Sequence, residues 1–458
     1  MNTRITAIAL IAVAFSACGD FEIVDPNGPS IDALEKAPTA SALSLATQGL
    51  FIQARATVNT YAGFAGIYGR ETYNLDPSEV RNLLSYIVGP LEPGGFGIDM
   101  GWTNEYRLMR QGNIILAGLE AVGEGMSEPN RHGIRGVVKT LQANALLNVI
   151  RVRDDIGAAI DVDRDRSGEP APIVDKAAVY ARITQLLDEA RTHLAAAGTT
   201  LPFTVPSGFA SYNTPANFIK FNRAIHARAN LYQGKYADVL TSIGLSFIST
   251  AAANLQAGAY HTFSTTAGDA SNPAYDPTAR AWAAHPSFLV DAQRRADGSV
   301  DLRAQKKVAV ISPPRILQGV STNLRGTVYN SANDPMPIIK NEDLVLMRAE
   351  AQWFTGAKAA AIADLDVVRV NSGGLPASTL TTGSSDADFV TALLYERRYS
   401  LFWEYGHRWV DMRRFNRLAQ LPKAVPDRDR IFPYVPLPVD ECTPRNPQPA
   451  GCRQVNGI

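Results

Sequence analysis

The sequence is poor in the features that mark metalloenzymes and nucleic-acid-binding proteins. It has three cysteines and six histidines in 458 residues, and 44 lysines and arginines balance 44 aspartates and glutamates. With zero net charge and no basic run, it lacks the positive surface that nucleic acids require. The histidines show no metal-ligand spacing, and HExxH, phosphate-loop and GxSxG motifs are absent. We therefore expect no catalytic residues, metal, cofactor or nucleic-acid partner.

Long apolar runs are also scarce, and the clearest lies at the N-terminus. After Arg4, residues Ile5–Phe15 form a run too short to span a bilayer, and small residues then precede Cys18. This order resembles a lipoprotein signal, in which the cysteine becomes the acylated first residue. We expect 1–17 to be a signal peptide, Cys18 to carry lipid, and 18–37 to form a tether. The alternative is an ordinary secretory signal with an unmodified cysteine.

The other two cysteines lie close together in the proline-rich C-terminal segment. If Cys18 carries lipid, Cys442 and Cys452 remain. An exported protein resides in an oxidising compartment, where a disulfide can close a short loop with little secondary structure. We predict a Cys442–Cys452 disulfide.

Apolar residues recur with helical spacing over much of the chain. The composition, 46% hydrophobic and 19% charged, is ordinary for a globular protein. The segment from Tyr61 to Gly101 is rich in glycine, proline and tyrosine and is predicted to be loop-like, with at most one short helix. Helices are predicted over Thr39–Val58, Trp102–Ala121, Ile134–Arg153 and Val174–Ala196.

A weak internal repeat indicates the architecture. The segment Ala227–Gly234 aligns with Ala349–Gly356, and each copy leads into a second helix. Alanines allow two helices to approach closely, and the final glycine accepts a left-handed turn. Both features are typical of a tetratricopeptide-like helical hairpin.

Helical periodicity fades between Leu255 and Met336. Glycine, proline, serine, threonine and asparagine increase there, and Val308–Ile311 is predicted to be a short strand. A structureless insertion of this length is usually a functional elaboration. We therefore treat 255–336 as a loop insertion.

The segment Tyr395–Arg414 mixes charged and aromatic residues almost without helix breakers. At helical spacing, Leu394, Arg397, Leu401, Glu404 and Arg408 would share one face, so the charges need buried partners. We interpret the segment as an ion-paired helical support, not as an active site. Its characteristic residues are Glu396, Arg397, Glu404, Gly406, Arg408, Trp409, Asp411 and Arg414.

These residues resemble the C-terminal signature of the SusD/RagB family. The resemblance implies a mainly α fold, with a tetratricopeptide-like helical-hairpin core (an α–α superhelix), long loops and a few short strands. It divides the chain into an N-terminal helical region, 38–254, and a C-terminal region, 255–458. It further implies a lipid-anchored protein at the outer-membrane surface. Such a protein would bind an oligosaccharide or a peptide and deliver it, without catalysis, to a SusC-like TonB-dependent transporter.

Two loop-like segments hold the aromatic and polar residues that a sugar site needs. Exposed aromatic rings stack on sugars, and neighbouring Asn, Asp or Arg side chains bind hydroxyls. The alternative is that these aromatics anchor their loops to the helical core. The predicted ligand contacts are Tyr73, Asn74, Arg280, Trp282 and Tyr329.

The sequence is also compatible with two other functions. One is a tetratricopeptide-type scaffold that binds protein partners through its concave helical surface. The other is an all-α glycan hydrolase, since any two carboxylates could meet in space.

Overall fold

The protein is described by a computed structural model covering residues 31–163, 168–278 and 281–458. The predicted signal peptide, Cys18, most of the tether and Arg280 lie outside the described residues. Within those ranges, no helix is long and apolar enough to cross a membrane.

Helices dominate the chain, as the sequence predicts. The first long helix begins after Thr39, whose side chain accepts a hydrogen bond from the Ala42 N–H and so caps the helix. The α-helices are α1 Ile31–Lys36, α2 Ala40–Arg55, α3 Ala65–Tyr68, α4 Arg81–Ile87, α5 Thr103–Ala121, α6 Glu128–Arg153, α7 Lys176–Ala196, α8 Pro215–Leu231, α9 Tyr236–Gly244, α10 Ser287–Val290, α11 Leu302–Lys307, α12 Asn341–Phe354, α13 Lys358–Gly373, α14 Asp386–Ser400, α15 His407–Arg414 and α16 Val439–Cys442.

In the ranges that the structure describes, three small antiparallel sheets accompany the helices. One has four strands in the order β1-β5-β7-β6, and the pairs β2-β3 and β4-β8 form the other two. The strands are β1 Thr72–Asn74, β2 Ala158–Ala159, β3 Ile173–Val174, β4 Gly258–His261, β5 Trp282–Ala284, β6 Val308–Leu317, β7 Val320–Gly326 and β8 Met336–Lys340.

The two copies of the repeat form helical hairpins with the same turn. In α8–α9, Gly234 adopts a φ of 68°, and the Lys235 N–H donates to the Asn230 carbonyl at 3.0 Å. In α12–α13, Gly356 adopts a φ of 91°, and the Ala357 N–H donates to the Gln352 carbonyl at 2.8 Å. This bond across five residues ends both first helices in the same way. The predicted helical-hairpin fold is confirmed.

Two large cores share helix α6. The first core packs α2 and α5 to α9 together with part of α12. The second core is rich in aromatic rings and gathers 58–100, the four-stranded sheet and the chain around Trp403 and Trp409. Ile150 belongs to the first core and Val152 to the second, so the end of α6 joins them.

The two segments predicted to be largely loop-like contain more regular structure than predicted. Residues 61–101 contain α3, β1 and α4, and a π-helical turn, Thr60–Phe64, precedes them. The insertion 255–336 supplies β4 to β7, and its strand β5 pairs with β1, so that Tyr73 lies opposite Ala283. The strand predicted at Val308–Ile311 extends to Leu317 as β6. Short strands were missed because pairing between distant segments, and not local periodicity, defines them.

The prediction of one helical face through the C-terminal signature is wrong. Helix α14 ends at Ser400 and α15 begins at His407. Between them, Trp403, Tyr405 and Gly406 all have positive φ, which no continuous helix permits.

Most of the charged residues in the C-terminal signature are buried and ion-paired, as expected. Arg397 contacts Asp343 at 2.9 Å and Asp411 at 2.6 Å. Arg414 bridges Glu350 and Asp411 at 2.7 and 2.9 Å. The remaining contacts are Glu396 with Arg303 and Arg369, Glu404 with Lys340, and the Trp409 indole N–H with the Phe432 carbonyl.

The C-terminal segment returns to the second core in an extended conformation. Val455 forms a β-bridge with Leu91, and the Sγ atoms of Cys442 and Cys452 are bonded at 2.07 Å. The disulfide thus closes the short loop that the sequence predicts.

Candidate functional site

The aromatic residues predicted to contact ligand lie in the second core. Tyr73, Trp282 and Tyr329 are 1%, 6% and 5% exposed. The Asn74 side chain accepts a hydrogen bond from the Asp76 N–H and shapes the turn after β1. The stacking faces expected at these positions are therefore covered in this structure, and the rings anchor their loops to the core.

Trp282 nevertheless supports an open groove from below. Its ring contacts Phe64 edge-to-face with a centroid separation of 5.4 Å, and Phe64 in turn stacks on Tyr86 at 5.1 Å. Phe64 is half-buried and faces a surface depression of about 270 Å³. The aromatic residues at the surface are thus neighbours of the predicted ones.

Phe96 is the most exposed aromatic ring of this region, at 36%. It lines the first depression and also a second one of about 270 Å³ that runs past Val88 and Glu92. We call the two depressions together the Phe96 groove. The polar residues at the first depression are Thr57, Thr60, Asn82, Asp99, Thr103 and Asn104.

A glycine-rich turn, Gly94 to Gly97, presents Phe96 to solvent. Gly97 has a φ of 74°, and a Cβ there would lie 2.1 Å from the Tyr86 hydroxyl. The loop can therefore cross the tyrosine only with glycine at this position. On the other side, Arg81 packs over the Phe96 ring with its Cζ 4.5 Å from the centroid, which orients the ring.

Buried Arg153 holds the loop that carries Phe96. Its Nη2 donates to the carbonyls of Ile98 and Met100, each at 2.8 Å, and its Nη1 donates to Val435 at 3.2 Å. Burial lowers the pKa of Arg153 to about 10, so the side chain stays charged at neutral pH. One cation at the end of α6 thereby fixes the loop against both the helix and the C-terminal segment.

Helix α5 places a buried carboxylate beside the π-helical turn and beneath the groove. Glu105 is 2% exposed and accepts hydrogen bonds from Thr57 and Tyr61, both at 2.9 Å. Burial raises the pKa of Glu105 to about 7, against the opposing effect of these hydrogen bonds. Thr57 lines the groove, and its hydroxyl donates to Glu105. This hydrogen bond fixes the orientation of the Thr57 side chain.

The groove combines a ring face with amide, hydroxyl and carboxylate groups. A sugar ring stacks on an aromatic face through its C–H bonds, while its hydroxyls need donors and acceptors of this kind. In the described parts of the chain, no cluster of three or more histidine, cysteine or acidic side chains could hold a metal ion.

The first aromatic cluster predicted from the sequence shares the segment 61–101 with the groove, but the prediction did not include Phe96, Phe64, Asn82 or Asp99. The available signal was Gly94-Gly95-Phe96-Gly97, because an aromatic residue between glycines has few neighbours in sequence to cover it. Nothing in the sequence predicts that Trp282 is buried and Phe96 is exposed, because the burial of Trp282 depends on strand pairing between β1 and β5.

The comparison with known proteins agrees with this fold. The family model described as "SusD family" matches residues 313–435, which include α12 to α15. Over these residues, the chain resembles the SusD family. The family signature therefore lies in the hairpin and the ion-paired turn, while the Phe96 groove lies outside the matched residues.

SusD-family structures match across most of the chain. A SusD/RagB family protein from Bacteroides thetaiotaomicron is 13% identical, with a TM-score of 0.63 over 90% of this chain and 95% of its own. A laminarin-binding SusD-like protein is 17% identical, with a TM-score of 0.60 over 92% and 99%. NanU of B. fragilis is 13% identical, with a TM-score of 0.60 over 94% and 99%. No curated protein matches the sequence.

Proposed function

We propose that this SusD-like protein captures an oligosaccharide in the Phe96 groove and does not cleave it. The observation that carries the proposal is the 36% exposed ring of Phe96, placed between two depressions and held by Arg81 and the loop below it. The laminarin-binding relative supports a saccharide as the ligand class. Because depressions lie on both sides of the ring, we expect longer oligosaccharides to bind more tightly than a monosaccharide.

Replacement of Phe96 tests the groove directly. Phe96→Ala removes the stacking surface, so we expect at least tenfold weaker binding, about 1.4 kcal/mol, to whichever neutral oligosaccharide the wild type binds. Isothermal titration calorimetry with a panel of neutral oligosaccharides that includes laminarin measures this change. Leu245→Ala, which shortens an exposed side chain away from the groove, is the matched control.

The outcome also distinguishes capture from hydrolysis. Unchanged affinity of Phe96→Ala, with wild-type melting temperature, would refute the groove as the binding site. Shortened oligosaccharide products after prolonged incubation with purified protein would refute capture without cleavage. Binding of peptides alone would replace the saccharide with a peptide ligand.

We further propose that Cys18 carries lipid and anchors the protein to the cell surface of the outer membrane. There it would pass its ligand to a SusC-like TonB-dependent transporter. The support is the signal-like order before Cys18 and the match of residues 313–435 to the SusD family. We expect Cys18→Ala to release the protein from washed membranes, whereas Cys452→Ala should leave it attached. A wild-type pulldown that recovers no β-barrel transporter would contradict the transporter partnership.

A further inference from the structure

A second, larger cleft lies outside the Phe96 groove. It has a volume of about 670 Å³ and is formed by α14, α15 and the segment 374–385 that joins α13 to α14. This volume falls within the range of roughly 300–1,000 Å³ that is common for small-molecule sites. Four arginines line the cleft, and we call it the arginine cleft: Arg369, Arg398, Arg408 and Arg417.

The two aspartates of the arginine cleft do not balance these charges. Asp411 is engaged by Arg397 and Arg414, which contact it at 2.6 and 2.9 Å. Asp388 caps α14 by exchanging hydrogen bonds with Ser385. Both carboxylates are therefore committed to structural contacts, and the cleft keeps an excess of positive charge.

Two of the arginines have no ion pair among the residues that the structure describes. Within the described ranges, no carboxylate oxygen lies within 4.0 Å of a side-chain nitrogen of Arg408 or Arg417. Arg417 donates to the Thr391 hydroxyl at 2.9 Å and to the Ala387 carbonyl at 3.1 Å. Arg408 donates to the Arg70 carbonyl at 3.3 Å. Both guanidinium groups thus donate to neutral acceptors, and within the described ranges neither is in direct contact with a carboxylate.

Arg408 differs from Arg397 and Arg414, the other arginines of the C-terminal signature, which both form buried ion pairs. The nearby carboxylate of Glu71 is buried, and neither of its oxygens has a hydrogen-bond partner in the part of the chain described. Burial raises the pKa of Glu71 to about 8, while burial and the neighbouring charge of Arg398 lower the pKa of Arg408 to about 9. Glu71 and Arg408 attract each other without a direct contact, and an anion entering from the cleft would add to the stabilisation of the Arg408 cation.

We propose that the arginine cleft binds the carboxylate of an acidic saccharide, a uronate, with Arg408 and Arg417 as its anion-binding residues. A guanidinium group offers the planar fork of donors that a carboxylate fits. Ser378, Thr379 and Ser384 line the same cleft and supply hydroxyl groups suited to the rest of a sugar. The saccharide class rests on the proposed function, whereas the need for an acidic group rests on the two unpaired arginines.

The test compares two ligands that differ only in the acidic group. Isothermal titration calorimetry at pH 7 measures an α-1,4-linked galacturonate trisaccharide against the α-1,4-linked galactose trisaccharide. We expect the galacturonate to bind at least tenfold more tightly and to lose affinity as salt is raised. Arg417→Gln should reduce this preference at least fivefold, and Arg408→Lys should weaken it because the planar fork is lost.

Controls separate charge, folding and the two sites. Arg453→Gln removes an exposed arginine of the C-terminal segment and should leave the preference intact. If Arg408→Lys fails to fold, Arg417→Gln alone decides, with its melting temperature as the folding control. Suppose that Phe96→Ala leaves the affinity for neutral oligosaccharides unchanged and the preference for galacturonate is retained. That result would refute the Phe96 groove as a binding site, but it would not refute the arginine cleft.

Three outcomes would overturn the proposal. The first is equal affinity for the two trisaccharides, and the second is an unaltered preference in Arg417→Gln. The third is triglutamate binding as tightly as the galacturonate with the same dependence on Arg417, which would make the cleft a site for acidic peptides.

Discussion

Asp411 illustrates, at the scale of single residues, how the buried charges of the C-terminal signature depend on one another. Its carboxylate is 2% exposed and lies between Arg397 and Arg414, which also contact Asp343 and Glu350 on α12. Burial alone would raise the pKa of Asp411, but the two arginines outweigh burial and lower it. Each charge is therefore tolerated only because its neighbours are charged.

We expect Asp411→Asn to lower the free energy of unfolding by about 3–5 kcal/mol, the cost of breaking a buried ion pair. Urea denaturation at pH 7 measures the change. Glu120→Gln, which breaks an exposed pair with Arg135, should cost less than about 1 kcal/mol.

The cost of Asp411→Asn should also depend on pH. The folded-state pKa of Asp411 is lowered, so its contribution is present above the unfolded value near 3.8 and is lost as the pH falls through the folded value. The difference between wild type and variant should therefore shrink in strong acid. A variant as stable as the wild type at pH 7 would contradict the dependence of these charges on one another.

The sequence predicted that these charges need partners, but it could not identify the partners. Asp343 and Glu350 belong to α12, and only the packing of α12 against α14 and α15 brings them to Arg397 and Arg414. The same limit applies to Arg408, which the pattern grouped with the paired residues although it lines the arginine cleft and donates to the Arg70 carbonyl.

At the scale of secondary-structure elements, the break between α14 and α15 requires glycine for two reasons. Gly406 has a φ of 61°, and a Cβ there would lie 2.6 Å from the Cβ of Ala65. Gly234 in the α8–α9 turn has a similar φ of 68°, but a Cβ there would meet no atom within 4 Å. A side chain at Gly234 would therefore cause backbone strain alone, whereas a side chain at Gly406 would cause backbone strain and a steric clash.

We expect Gly234→Ala to lower the free energy of unfolding by about 1 kcal/mol, through the left-handed backbone alone. Gly406→Ala should cost more, about 2–4 kcal/mol, because α3 must also move away. Thermal and urea denaturation of both variants measure the difference. Equal losses at the two glycines would show that the contact with Ala65 relaxes freely.

Elements with regular apolar stripes were predictable, and elements defined by distant pairing were not. Helices α2, α5 and α7 end within a few residues of their predicted bounds, and α6 begins six residues earlier than predicted. Strand β1 has three residues and exists because β5, more than 200 residues later, pairs with it. The loops that carry the Phe96 groove lie beside such a pair, so the exposure of their aromatics could not be assigned from sequence.

At the scale of the whole molecule, the segment 255–336 is an integral part of the second core. It supplies β5 to the sheet, buries Trp282 against Phe64, and supplies β4 as the partner of β8. A deletion of this segment therefore removes core surface as well as loops.

We expect the chain without 255–336 to lose cooperative unfolding and near-ultraviolet circular dichroism. Removal of Ala267 and Gly268 alone should preserve both, because these two residues are exposed in a loop. Wild-type cooperativity in the large deletion would mean that the helical hairpins fold without the second core.

Arg153 has a consequence for the thermodynamics of recognition. Its guanidinium ties the carbonyls of Ile98 and Met100 to α6, so the loop bearing Phe96 is ordered before any ligand arrives. The conformational entropy of that loop is lost during folding, and ligand binding then costs less entropy. The Phe96 groove should therefore behave as a rigid template, with a heat-capacity change on binding that reflects the apolar surface covered and little loop ordering.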